Sequence, residues 1–323
     1  MKGFPLNRLQ HLTALLSLTV GSLHSHAQAT QTSPLEIADA TETATYPVTH
    51  IAGLSGTTSD LKGDLSLSQT ALRFTSAGSH EEIPVSHIEA IFIGDERVET
   101  GGGAGLILRL AAPPLGAVTQ KSIDLLTIEY RDEDGGYHGT VLAASKDVAE
   151  RLKGQLSSRL TTDDGAFTPP CQNEATNPTA IVLEPIAVSG IQLPAEYRAL
   201  LYEELLAKLH QEAPSTSFLR AGDRSSGPGC TAMTLKLTVT GFKKGNRAVR
   251  SSTGPVGFLT ANTSLSVHID LQDSSEHNLV SAGASSNNRI DRESLDITSM
   301  VASRVSKRVV KTISKIEYRK KLS

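Results

Sequence analysis

Residues 231 to 273 hold two long runs in which apolar and polar side chains alternate, and few folds accept such runs. In the first, Met233, Leu235, Leu237 and Val239 face one way, and Thr234, Lys236, Thr238 and Thr240 the other. In the second, Leu259, Ala261, Leu265, Val267, Ile269 and Leu271 share a face opposite Ser264, Ser266, His268 and Asp270. A period of two over this length means strands with one buried face. A basic, glycine-rich connection joins the runs, so they read as an antiparallel hairpin. A sheet must form here, and something must cover its apolar side.

The elements around the hairpin supply that cover. Ala180 to Val188 is an apolar run ending in turn residues, which reads as a buried strand. Pro194 suits a helix start, and Tyr197, Leu201, Leu205 and Leu209 recur every four residues behind it, with Leu200 and Leu206 beside them. Phe218 to Ala221 is a short strand candidate, and Leu279 to Ala284 a further one. A helix from about Arg292 to Ile316 closes the chain on a stripe of Leu295, Met300, Val301, Val305, Val309 and Ile313. Lys307, Arg308, Lys311 and Lys315 occupy its later part, where cations suit the helix dipole. The order β-α-β-β-β-β-α predicts an α+β layer, with two helices on an antiparallel or mixed sheet.

Ahead of it, residues 48 to 160 read as short strands: Asp64–Ser68, Ala71–Thr75, Glu82–Val85, Ile88–Ile93, Leu106–Leu110, Ile123–Tyr130 and Tyr137–Ala143. An amphipathic helix then begins near Ser145 and buries Val148, Ala149, Leu152, Leu156 and Leu160. The turn, "EEIPVSHIEAI", the long "LLTIEYRDEDGG" strand and the closing "KDVAERLKGQL" helix resemble the layout of a small PH-like (GRAM-like) β-barrel. Residues 179 to 317, through "GFKKGNRAVRSSTGPVG", "LSVHIDLQDSSEHNLVSAGA" and the terminal helix, resemble an uncharacterised family of bacterial exported proteins. That family is similar to the α+β domains of the curli-assembly factor and of the N-terminal region of the translocation protein TolB. The expected fold is therefore α+β in two domains, 48–160 and 179–317, joined by a polar linker at 161–178. A flexible lead-in at 30–47 precedes them, and a basic tail at 318–323 follows.

The first residues read as an export signal. Lys2 and Arg8 precede an apolar run from Leu12 to Leu23, and Ala27-Gln28-Ala29 offers a small-x-small cleavage site, so the mature chain should begin at Thr30. Twelve residues of helix rise about 18 Å, short of the roughly 30 Å hydrocarbon core. No cysteine stands near the cleavage point, so lipid anchoring there is excluded, and the chain departs in this from the exported family it resembles. The expected location is periplasmic or extracellular. Cys171 and Cys230 are the two cysteines, and export favours a disulfide between them, with two free thiols as the alternative.

Charge divides the chain. Residues 48–160 carry ten basic and fifteen acidic side chains, a net −5, whereas 179–323 carry nineteen and thirteen, a net +6. PH domains that bind phosphoinositides use a basic cluster, and here Asp132-Glu133-Asp134 occupies a strand-joining turn, so lipid binding does not carry over. Lys243, Lys244, Arg247 and Arg250 crowd into the hairpin connection as the candidate binding residues. Their expected partner is an envelope protein or the acidic part of this chain. Nucleic acid fits poorly, because no aromatic residues interleave the charges for base stacking.

No catalytic constellation is legible. Ser266, His268 and Asp270 share one strand face, where neighbours two residues apart stand about 6.6 Å from each other, too far for a nucleophile and its base. His80, Glu81, Glu82 and His87 match no metal-binding spacing, and Pro84 breaks any helix that would gather them. Gly101 to Gly105 lack the Gly-Lys-Ser/Thr of a phosphate loop. The expectation is a non-enzymatic binding or assembly protein of the cell envelope, without metal or cofactor. The alternative is a hydrolase whose site is assembled from distant residues, with His138 or His268 as its base.

Overall fold

The computed structural model describes residues 44–97, 122–160, 177–223, 231–245, 262–287 and 295–322. The export signal, the strand expected at Leu106–Leu110 and most of the linker lie outside them. Sixteen elements follow in order: β1 Thr45–Ala52, β2 Leu61–Leu67, β3 Ala71–Ser76, β4 Ser79–Pro84, β5 Ile88–Arg97, β6 Ser122–Arg131, β7 Tyr137–Ala144, α1 Lys146–Ser157, β8 Asn177–Leu183, β9 Ala187–Val188, α2 Ala195–Glu212, β10 Phe218–Arg220, β11 Thr231–Lys243, β12 Ser264–Asp273, β13 Asn278–Asn287 and α3 Asp296–Leu322. The protein is α+β, with two sheets and three α-helices among the described residues. Among the described residues no helix is long and apolar enough to cross a membrane.

The first sheet has seven antiparallel strands in the order β4-β3-β2-β1-β7-β6-β5. The expected barrel is corrected here. Among the described residues β4 and β5 end the sheet at opposite edges without pairing, so it stays open. Its strands begin earlier than expected, too. Tyr46 and Val48 are buried, which draws Thr45 to Pro47 out of the lead-in and into β1. On one face Phe74, Leu126, Ile128 and Leu142 pack with Leu152 and Leu156 of α1.

The second sheet is mixed, in the order β10-β8-β11-β12-β13, with β9 also on β11. β8 runs parallel to both its neighbours, and Ala180 to Leu183 are all buried, as a strand covered on both faces requires. The apolar run read as one strand, Ala180 to Val188, is thus β8 and β9 with a break between them. The alternating hairpin forms as expected, with Leu235, Leu237 and Val239 opposite Leu271, Ile269 and Val267. A bulge after Val239 then shifts the register, and Phe242 rather than Gly241 packs inward against Tyr197 at 4.7 Å. The terminal helix starts at Asp296, four residues later than expected, and absorbs most of the expected tail.

Helix α2 is buried nearly all round, with Tyr197, Ala199, Leu200, Leu201, Tyr202, Leu205, Leu206 and Leu209 among its buried residues. Such a helix must be packed on several sides. One apolar cluster joins it to α3, to the mixed sheet and to Leu125, Tyr137, Val141 and Ala143 of the first sheet. β6 and β7 therefore present alternate side chains to two cores. Gly139 of β7 lies tight against α2, where an added Cβ would fall 2.7 Å from the Ala199 methyl. Gly139→Ala is expected to lower stability by about 1–3 kcal/mol. Adding Ala199→Gly should recover part of that loss, less the roughly 1 kcal/mol that glycine costs inside a helix. Urea titration of the two variants would check both values.

Candidate functional site

Where the two sheets meet, α2 supplies a carboxylate to a closed polar network. Glu203 takes Arg220 in a two-pronged pair, with Nη1 to Oε1 at 2.8 Å and Nη2 to Oε2 at 2.7 Å. Glu203 Oε1 also accepts the Gly139 amide at 3.1 Å, and Arg220 Nη1 donates to the Tyr137 carbonyl at 2.9 Å. The Tyr137 amide in turn donates to Ala221 at 2.9 Å, which ties the start of β7 to the end of β10. One ion pair thus fastens α2, β10 and β7.

His138 stands beside it, almost wholly buried. Its Nε2 meets Asp132 Oδ2 at 2.9 Å, and its ring stacks on Tyr130 at 5.0 Å. Nδ1 has no hydrogen-bond partner and lies 3.8 Å from Glu203 Oε1. Burial pushes the Asp132 carboxyl upward, but bonds from His138 and from the Gly136 and Asp134 amides outweigh it and hold the group below its ordinary value. This is an orienting arrangement for a histidine, yet no serine, threonine or cysteine is set against the ring among the contacts described.

Above the network opens a cleft of about 290 Å³ between the end of β1, the loop that follows it, α2 and the start of α3. Leu54, Leu200 and Leu295 form its apolar wall, and His50, Glu203, Glu204, Arg220 and Asp296 its charged or titratable one. The His50 ring is spent on the loop: Nδ1 lies 2.9 Å from the Thr58 carbonyl and Nε2 3.2 Å from the Leu54 amide. With the amide donating to Nε2, the proton sits on Nδ1, and burial keeps the ring below its ordinary pKa. Glu204 differs. Its Oε2 is buried without a hydrogen-bond partner, and its pKa is pushed up to about 8, by burial first and by Asp296 second, against the Thr298 hydroxyl and Lys208.

Of the residues singled out in the sequence, Lys243 and Lys244 lie exposed at the end of β11. Arg247 and Arg250 lie outside the described residues, as do Cys171, Cys230 and Gly101 to Gly105. Ser266, His268 and Asp270 do share the outer face of β12, but two of them come closer than strand spacing alone predicts. The His268 side chain bends back to place Nε2 3.3 Å from Asp270 Oδ1, and Ser281 Oγ of β13 lies 2.9 Å from the same nitrogen. A relay needs the acid and the nucleophile on different ring nitrogens. His80, Glu81, Glu82 and His87 gather no ligand set, and no group of three or more His, Cys, Asp or Glu able to hold a metal occurs among the described residues.

The terminal helix presents a second basic feature, less visible in the sequence. Arg304, Lys307, Arg308, Lys311 and Lys315 are all exposed, and none forms an ion pair among the described residues. Arg304 donates to the Ser285 carbonyl and Arg308 to the Gly283 carbonyl, so both reach the edge of β13. With Lys307 they line a groove of about 390 Å³ along that edge. The acidic residues missed by sequence reading had a signal as well. Glu203 and Glu204 interrupt the stripe of Leu200, Leu201, Leu205 and Leu206, a placement that takes carboxylates out of water and is costly unless they find partners.

No family model matches the chain, and no curated protein matches it. Some solved structures show a distant similarity over part of the chain. A PelC dodecamer from Paraburkholderia phytofirmans superimposes with a TM-score of 0.29 at 11% identity, over 39% of this chain and 84% of that one. An uncharacterised protein gives 0.29 at 15% identity, over 42% of this chain and 92% of that one. This is a distant likeness over about two fifths of the chain, and it carries no argument about what the protein does.

Proposed function

We propose that the protein is a non-enzymatic binding or assembly module, exported to the cell envelope or beyond, that engages an acidic partner through basic surfaces. The observation that carries this reading is the face of α3 on which Arg304, Lys307, Arg308, Lys311 and Lys315 stand exposed without acidic partners among the described residues. Their spacing of three and four residues gathers them on one side of the helix, over about 16 Å. Lys243, Lys244, Arg247 and Arg250 extend the same sign of charge at the hairpin connection. In this reading residues 48–160 are an acidic, PH-like module, and 179–317 a basic one of the curli-assembly and TolB type. The export itself rests on the signal read in residues 2 to 29.

Cells expressing the chain with a photo-reactive residue at position 311 would test the proposal. Crosslinking should yield a discrete adduct that weakens as salt shortens the Debye length from about 10 Å at 0.1 M to about 3 Å at 1 M. With the photo-reactive residue kept at 311, the double variant Lys307→Glu, Lys315→Glu should lose the adduct while its melting temperature stays nearly unchanged, since exposed charges contribute about 0–1 kcal/mol each. An adduct indifferent to both salt and charge reversal would reject the basic surface as the contact. Hydrolysis of ester or peptide substrates that disappears with His138→Asn or His268→Asn would instead establish the hydrolase.

A further inference from the structure

We propose that the outer edge of β13 takes up an extended acidic segment of a partner protein as an added strand, whose alternate carboxylates meet Arg304 and Arg308. This deepens the basic-surface reading and rests on it, by naming the form of acidic partner that the surface fits. The first observation is that β13 lacks the guards that other edge strands carry. Folded proteins blunt their sheet edges with charges, prolines or very short strands. β4 carries Glu81, Glu82 and Pro84, and β5 carries Glu89, Asp95, Glu96 and Arg97. β9 and β10 are only two and three residues long. β13 runs for ten residues with no charge and no proline, and among the described residues it pairs with β12 alone.

The second observation is what stands along that edge. In an antiparallel ladder, pairs that exchange both hydrogen bonds alternate with pairs that exchange none. The carbonyls of Gly283 and Ser285 reach Arg308 and Arg304, so these residues form pairs of the second kind with His268 and Ser266. Their amides therefore face the same edge as their carbonyls. Strand-spaced donors and acceptors are presented outward, and arginine side chains rather than another strand hold the two carbonyls. The groove of about 390 Å³ beside them, lined by Gly283 to Ser285, Arg304, Lys307 and Arg308, leaves room for a chain. A partner strand would add main-chain bonds to the sheet and side-chain bonds to the helix.

The spacing of helix and strand makes the edge selective. Residues four apart on α3 rise about 6 Å, and residues two apart on a strand about 6.8 Å. Glutamates at alternate positions, on the side facing α3, would set one carboxylate against each guanidinium. Each arginine exchanges a neutral carbonyl for a charged acceptor, a stronger bond, and the freed carbonyls take amides of the new strand. A neutral strand offers the arginines nothing in return and is kept out. A second copy of the chain, edge to edge, would bring the same cations against one another.

The test is fluorescence anisotropy of a labelled heptapeptide alternating threonine and glutamate, titrated with the full chain at low salt. It should bind saturably, and the same peptide with glutamine for glutamate at least about tenfold more weakly. N-methylation of one alternate set of peptide amides should abolish binding, because those amides face β13, and methylation of the other set should leave it nearly unchanged. Arg304→Gln with Arg308→Gln keeps side-chain N–H groups for the two carbonyls but removes the charge, and should weaken the peptide by at least about tenfold. Binding that needs glutamate yet responds equally to both methylations would overturn the added strand while leaving the basic surface as the contact. So would unchanged affinity in the double variant, or no saturable binding by a chain that melts cooperatively. The crosslink at position 311 judges the basic surface separately. Sedimentation that shows the chain alone self-associating, and ceasing to do so in the double variant, would make the occupant a second copy and also overturn the proposal.

Discussion

Replacing Arg220 by methionine is expected to cost about 3–5 kcal/mol of unfolding free energy, because it leaves the Glu203 carboxylate buried without its counter-charge. The two side chains are only 20% and 10% exposed, so solvent screens the loss poorly. The loss is also topological. The same guanidinium holds the Tyr137 carbonyl, and the same carboxylate holds the Gly139 amide, so α2, β7 and β10 loosen together. A second change separates the charge effect from simple truncation. Glu203→Gln alongside Arg220→Met removes the stranded charge and keeps an amide oxygen for Gly139, so the double variant should recover a large part of the loss. Urea titrations with an unchanged slope would measure the coupling. Losses that simply add would show that the pair contributes nothing as a pair.

Glu204→Gln should act in the opposite direction, raising stability, and by more as the pH rises. The folded-state pKa of Glu204 is raised from 4.5 to about 8, so folding favours its protonated form. Its contribution is fully present below about pH 4.5 and is lost as the pH rises through about 8, where the buried group must ionise. Glutamine has no proton to lose. The two proteins should therefore melt alike near pH 4.5. At pH 9 the variant should be more stable by a few kcal/mol, since each tenfold change in a protonation equilibrium is worth about 1.4 kcal/mol. His50 tilts the acid side the other way. Its pKa is lowered from 6.5 by burial, so its contribution is present above that value and is lost as the pH falls. Wild-type stability should then peak between the two limits, and Glu204→Gln should flatten only the alkaline limb. Thermal melts at four pH values from 4.5 to 9 would decide this.

Side-chain alternation reports which faces are buried, and that much was legible. Leu235, Leu237, Val267 and Ile269 turned inward as their period required, and the stripe of α2 marked its contact with a sheet. Alternation does not report neighbours. That β8 lies between β10 and β11, or that β4 and β5 stay unpaired with each other among the described residues, depends on pairings far apart in sequence. Nor does it foresee a bulge, which is why Phe242 lies one position out of phase with the run before it. The cleft was least legible of all. His50 and Leu54 come from β1 and the loop after it, Glu203 and Glu204 from α2, and Asp296 from the start of α3, and only the tertiary fold brings them together.

The two arginines that reach from α3 to the carbonyls of Ser285 and Gly283 set a schedule for the growing chain. Synthesis runs from the N-terminus, so β11, β12 and β13 can pair before residues 296 to 322 exist. Until then the outward-facing β13 carbonyls have only water, and an open strand edge is a template for any other strand, including the same edge of a sister chain. The final helix closes that interval, because its arrival both covers the apolar side of the hairpin and occupies the edge. A chain cut short near residue 290 would hold a sheet with nothing to stop its growth, and its fate should be aggregation rather than a smaller fold.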